Sequence, residues 1–121
     1  MSRGDSQDVR PLADDERALL GAVLGLKPFD GRLQLEAQLN HVAVIGGSPF
    51  QLDLIVVGEL PTSSVRTGPI PTRAVVVDGV SQPTGEVIVW VADGYLSGLE
   101  YAWFADETPD RLPDPRQLVA S

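Results

Sequence analysis

Residues 85–106, GEVIVWVADGYLSGLEYAWFAD, constrain the fold of this chain more than any other stretch. Two apolar runs flank Asp93-Gly94, and a two-residue turn of that kind supplies the left-handed backbone that connects twisted antiparallel strands. The stretch therefore predicts a β-hairpin. The register set by the turn pairs Ala92 with Tyr95, Val91 with Leu96 and Val89 with Gly98, gathering Val87, Val89, Val91 and Leu96 on one face. Continued unbroken, that register carries Glu100 onto the valine face and Leu99 off it. An unpaired carboxylate in a core costs several kcal/mol, on the order of a small domain's whole stability. One extra residue shifts the phase of everything beyond it. A bulge at Ser97-Gly98 is therefore predicted, which puts Leu96, Leu99, Tyr101 and Trp103 with the valines and turns Glu100 to the opposite face.

The rest of the chain reads as one domain. Residues 1–10 are small, polar and charged, and are expected to form a flexible leader to a single globular unit over 11–121. Leu19, Leu20, Val23 and Leu24 recur at helical spacing within 12–24, and Asp14, Asp15 and Glu16 sit where carboxylates complement a helix N-terminus. Gly25 and Pro28 end that helix. Over 32–40 Leu33, Leu35, Ala37 and Leu39 alternate as in a strand. The Leu, Gln, Glu and Ala composition, without β-branched residues, instead favours a short helix capped by Asp30. HVAVIGG is expected to be a strand, followed by a turn at 46–49. A second strand spans 50–57, with Phe50, Leu52, Leu54 and Val56 on one face and Gln51 and Asp53 on the other. Residues 58–71 are rich in Pro, Gly, Ser and Thr, which predicts an exposed irregular connection carrying Arg66 and Thr67. Further strands are expected at 73–78 and 86–92, joined by a turn at 82–85. Short connections favour an antiparallel meander, and only 58–71 is long enough to permit another strand order. The expected architecture is α+β: one or two N-terminal helices on one face of a four- to five-stranded, mainly antiparallel, meander-like sheet. An irregular Pro-rich C-terminal tail would lie along its edge.

Charge and composition remove whole classes of function. Seventeen acidic residues against nine basic give a net charge of −8, and Lys27 is the only lysine. Nucleic acids and anionic membranes would be repelled, whereas a basic protein partner suits the sign. Cysteine is absent, so there is no disulfide, thiolate metal site or cysteine nucleophile. No secretory signal or membrane-spanning run is visible, and the cytoplasm is the expected location. The Arg3-Gly4-Asp5 triplet is a chance match to an adhesion motif. His41, the sole histidine, completes no triad, and GGSPF has neither nucleophile-elbow nor phosphate-loop spacing. Asp106, Glu107, Asp110 and Asp114 are interrupted by Pro109 and Pro113 and read as a solvated tail, not a calcium loop. No catalytic, cofactor-binding or metal-ligating set emerges.

What remains is the hairpin surface. DGYLSGLEYAWFADE followed by LPDPRQL resembles the C-terminal end of small uncharacterised actinobacterial proteins; the likeness extends faintly to GRLQLEAQL. That resemblance implies a helix at 32–40 and no particular chemistry. Trp90, Tyr95, Tyr101, Trp103 and Phe104 are too many to bury on one side. An aromatic group rimmed by Asp93, Glu100, Asp106 and Glu107 would suit a protein interface. The candidate interface residues are Trp90, Tyr95, Glu100, Phe104 and Asp106, facing a basic partner or a second copy. A toxin-neutralising immunity protein or a small regulatory partner would be a concrete version. The alternatives are a small hydrolase using Glu100, with Glu86 the only nearby acid, and a small-ligand binder between helix and sheet.

Overall fold

The apolar spacing of the N-terminal half produces two helices, and both bury the residues that the spacing selects. In the computed structural model, which describes residues 9–106 and 108–121, α1 (Asp14–Gly25) buries Leu19, Leu20, Val23 and Leu24 completely. Each such side chain contributes about 1.5–3 kcal/mol relative to exposure. Residues 1–8 of the expected leader, with the Arg3-Gly4-Asp5 triplet, lie outside the described residues, as does Glu107. Arg10 forms the short strand β1 (Arg10–Pro11). Its guanidinium grips Glu16 at 2.7 and 2.8 Å, while Glu16 Oε1 also accepts the Ala13 N–H at 2.8 Å. One first-turn carboxylate thus satisfies a free helix-end amide and fastens β1 to α1.

The helical reading of 32–40 holds, as α2 (Arg32–Gln38) and a following 3-10 turn, Leu39–His41. Asp30 does not cap it. The helix starts instead at Gly31, whose φ of 93° is left-handed and whose missing Cβ leaves room for the Ser63 hydroxyl, 2.3 Å from where that carbon would stand. Only glycine meets both demands.

The sheet is larger and differently ordered than the sequence suggested. After β1 come β2 (Val42–Ser48), β3 (Gln51–Val56), β4 (Gly68–Pro69), β5 (Ala74–Val77), β6 (Pro83–Ala92), β7 (Tyr95–Trp103) and β8 (Leu118–Ala120). All pairings among the described residues are antiparallel, in the order β1-β2-β3-β7-β6-β5-β8, with β4 also beside β6. Eight strands replace the expected four or five, three of them only two or three residues long and too brief to show any alternation. Nor is the sheet one meander. The β2–β3 hairpin and the β5–β6–β7 meander join through β3 against β7, an order that the long 58–71 connection makes possible.

Three connections differ from expectation. The β2–β3 turn is Pro49-Phe50; Gly46 and Gly47 lie within β2, just past a bulge at Ile45. The β5–β6 turn lies ahead of Pro83, not at 82–85, because the Asp78 carboxylate accepts the N–H groups of Val80 and Gln82 and bends the chain there. Residues 58–71 are not simply exposed. Ser63 and Ile70 are buried, Ser63 N–H donates to the Gly94 carbonyl at 2.9 Å, and β4 extends the sheet beside β6. The Pro-rich tail is likewise more ordered than expected: a 3-10 turn at Pro115–Gln117 leads into β8, which pairs with β5 at the sheet's edge.

The helices cover one face of the sheet. Beneath them Val42, Val44, Leu52, Leu54, Val76, Val87, Val89, Val91, Leu96 and Leu99 form the core with Leu35 and the α1 leucines. Along β6 buried and half-exposed positions alternate, so the opposite face meets solvent.

Candidate functional site

The hairpin presents the site. Asp93 and Gly94 have φ of 54° and 84°, both left-handed, which gives the turn whose twist matches the strands. Beyond it Ala92 faces Tyr95 and Val91 faces Leu96, but Trp90 faces Gly98. Ser97 is the additional residue, and the predicted bulge is present. The shifted phase buries Leu96 and Leu99 and packs Tyr101 against the core. Trp103, expected to join the valines, is half-buried and outside the core, its ring edge-on to Phe50 with centroids 4.7 Å apart. Glu100 turns to the solvent face opposite Ile88.

There the Trp90 indole N–H donates to Glu100 Oε1 at 3.0 Å. This bond fixes one carboxylate oxygen and leaves the other for a ligand. Gly98 is what allows the indole to lie across the neighbouring strand, since a Cβ there would come within 3.3 Å of Trp90 Cβ and Cδ1. Pairing of β3 with β7 sets Gln51 opposite Glu100 and Asp53 opposite Gly98, so Asp53 and Glu100 share the solvent face as diagonal neighbours. Pairing of β4 with β6 brings Thr67 and Gly68 to the other side, where the Thr67 hydroxyl accepts the Asp93 N–H at 3.1 Å.

These elements enclose an open groove of about 420 Å³, with Gln51, Asp53, Thr67, Trp90, Ser97 and Glu100 among its lining. A second groove, of about 250 Å³, contains Arg73, Glu86, Ile88 and again Trp90, so the indole stands as a wall between the two. Their electrostatics differ. In the second groove Glu86 is neutralised by Arg73 at 2.9 Å. The first has two carboxylates and no lysine, arginine or histidine in its lining.

The remaining candidates are dispersed. Tyr95 directs its hydroxyl to the Leu60 carbonyl at 3.4 Å, at the turn end of the hairpin. Phe104 is 55% exposed past the far end of β7, beside Pro83, Val119 and Ser121. Asp106, exposed, follows it. Only Trp90 and Glu100 of the five come into direct contact. Glu86 faces Ala102 instead of the Tyr101 that an unbulged register would give it. Among the described residues no three His, Asp or Glu side chains gather closely enough to hold a metal ion, and no helix is long and apolar enough to cross a membrane.

Sequence reasoning missed two residues that shape the site. Asp53 was placed on the polar face of its strand, but its approach to Glu100 needs the β3–β7 pairing. Gln38 is fully buried on α2: its Oε1 accepts the Leu96 N–H at 2.9 Å, and its Nε2 donates to the carbonyls of Gly94 at 2.9 Å and Pro61 at 3.2 Å. One side-chain amide thereby holds the hairpin, α2 and the 58–71 connection together. Its three-residue spacing from buried Leu35 is the signal that would have placed it on the inner face of the helix.

Comparison of the chain with protein-family models, with curated proteins and with solved structures finds no match.

Proposed function

We propose that this protein is a non-enzymatic protein-interaction module, which offers the solvent face of β3, β7 and β6 to a basic partner. A single observation carries the reading. The groove beside Trp90 has two carboxylates, Asp53 and Glu100, with no cationic side chain in its lining. Half-exposed Ile88 and Trp90 supply apolar contact next to it, so acidic and aromatic surface lie together as interfaces require. A second copy is disfavoured as the partner, because two chains of net charge −8 would bring like-charged faces together. An immunity protein or a small regulatory partner fits this description. In the hydrolase alternative Glu100 would work with Glu86, but Glu86 is paired with Arg73 and lies in the other groove.

The test is retention of a partner by the immobilised protein from an extract of the cells that produce it, at low and high salt. A basic protein should be held at low salt, lost at high salt, and not held by Ile88→Lys, while Lys27→Glu on the helical side holds it unchanged. Equal retention by Ile88→Lys, or a monomer with no salt-sensitive partner by light scattering, would count decisively against the proposal.

A further inference from the structure

We infer that the groove between Trp90 and the β7 bulge is a guanidinium site, which receives an arginine side chain of the partner. The inference rests on the interaction reading and goes further, by naming the group recognised and where it sits. The only charged side chains in the groove's lining are the acceptor-only carboxylates of Asp53 and Glu100; Gln51, Ser97 and Thr67 can each accept or donate. A guanidinium carries five N–H donors and no acceptor, so it complements such a lining better than any neutral or anionic group.

Geometry points the same way. Asp53 and Glu100 are diagonal neighbours across β3 and β7, their backbone positions about 7–8 Å apart, so both carboxylates border the same groove. Glu100 is already oriented by the Trp90 indole N–H, so little side-chain freedom remains to be lost when it accepts a second donor. Trp90 provides the flat wall on which a guanidinium stacks, a contact that a compact ammonium uses less fully. The neighbouring groove shows the same chemistry completed within the chain, where Arg73 supplies the cation for Glu86. The first groove has no cation in its own lining.

The test is an NMR titration of the full chain with N-acetyl-arginine methylamide, and with the lysine counterpart as comparison. The Trp90 indole N–H and the amides of Ser97 and Gly98 should shift with roughly millimolar affinity for the arginine probe, and several-fold more weakly for lysine. Trp103, the only other tryptophan, serves as internal reference. Glu100→Gln and Asp53→Asn should each weaken binding roughly tenfold with amide dispersion unchanged. Glu86→Gln, in the other groove, should leave it unaltered. Equal response to both probes, shifts confined to Asp106 and Asp110, or no shift at all would overturn the site. The two levels remain separable in the retention experiment. A partner held equally well by Glu100→Gln and Asp53→Asn, but lost by Ile88→Lys, would overturn the arginine site and leave the interaction reading standing.

Discussion

Replacing Gln38 by Met tests whether a single amide fastens the hairpin to the helices. The substitution keeps an unbranched side chain of similar length and removes every hydrogen bond. Three partners are affected unequally. The Gly94 carbonyl keeps the Ser63 N–H at 2.9 Å, and Pro61 is exposed, so both retain alternatives. The Leu96 N–H does not, because Leu96 is 1% exposed and pairs with Val91 at a position of the ladder where its own N–H points away from β6. One orphaned buried donor costs about 1–3 kcal/mol, and we expect a net loss near 2 kcal/mol after the gain from burying a more apolar side chain. With a urea slope of about 2 kcal/mol/M, the unfolding midpoint should fall by about 1 M. Tryptophan fluorescence reads that midpoint, and hydrogen exchange should show the Leu96 amide losing protection. Gln38→Glu should behave differently with pH. A carboxylate buried against the Gly94 and Pro61 carbonyls is destabilised when charged, so its folded pKa rises above the unfolded value. Stability of this variant should therefore decline as pH rises through the carboxyl range and recover in acid. A midpoint change below about 0.3 M for Gln38→Met, with the slope unaltered, would refute the reasoning.

Deleting Ser97, the unpaired residue of the bulge, should leave Gly98 opposite Trp90 and Glu100 opposite Ile88, so the variant should fold as a regular hairpin; cross-strand NOEs that place Glu100 opposite Val87 would refute the register. The Glu16 carboxyl is held below its usual range, chiefly by the hydrogen bond from Arg10. Its contribution is present above the unfolded carboxyl pKa and disappears as pH falls through the lowered folded value. Glu16→Gln should accordingly cost about 1 kcal/mol at neutral pH, a difference that vanishes in strong acid when urea midpoints are compared. Asp114, bonded first to the Arg116 side chain and then to its N–H, is lowered to about 2. An NMR titration should place it there, and Arg116→Ala should move it upward while the backbone cap bond persists.

The parts legible in the sequence share a cause: each depends on residues close together along the chain. The Asp93-Gly94 turn, the α1 stripe and the bulge at Ser97 all follow from local conformation and from the cost of burying one carboxylate. The turn positions at 46–49 and 82–85 were misplaced because Gly and Pro mark places where a chain can bend without fixing where it does. Asp78 moved one bend by offering its carboxylate to two amides, and Pro49-Phe50 closed the other at the end of a strand already twisted by its bulge. The short strands β1, β4 and β8 have no sequence signature, since two or three residues show no period. They exist only because a longer strand's edge was available to them.

By itself the sequence determined the hairpin, its register and the face on which Glu100 must lie, because a two-residue turn and an uncompensated charge leave no other arrangement. It also determined an acidic chain without the residues for thiolate or histidine-cluster chemistry. Tertiary structure alone decided that β3 lies against β7, which brings Asp53 to Glu100 and Trp90 and creates a groove with no internal cation. It likewise placed Gln38 beneath the hairpin. Both outcomes arise from pairings between residues distant in the chain, where loop closure has no local signal and the winning arrangement is the one that satisfies the most buried amides at once.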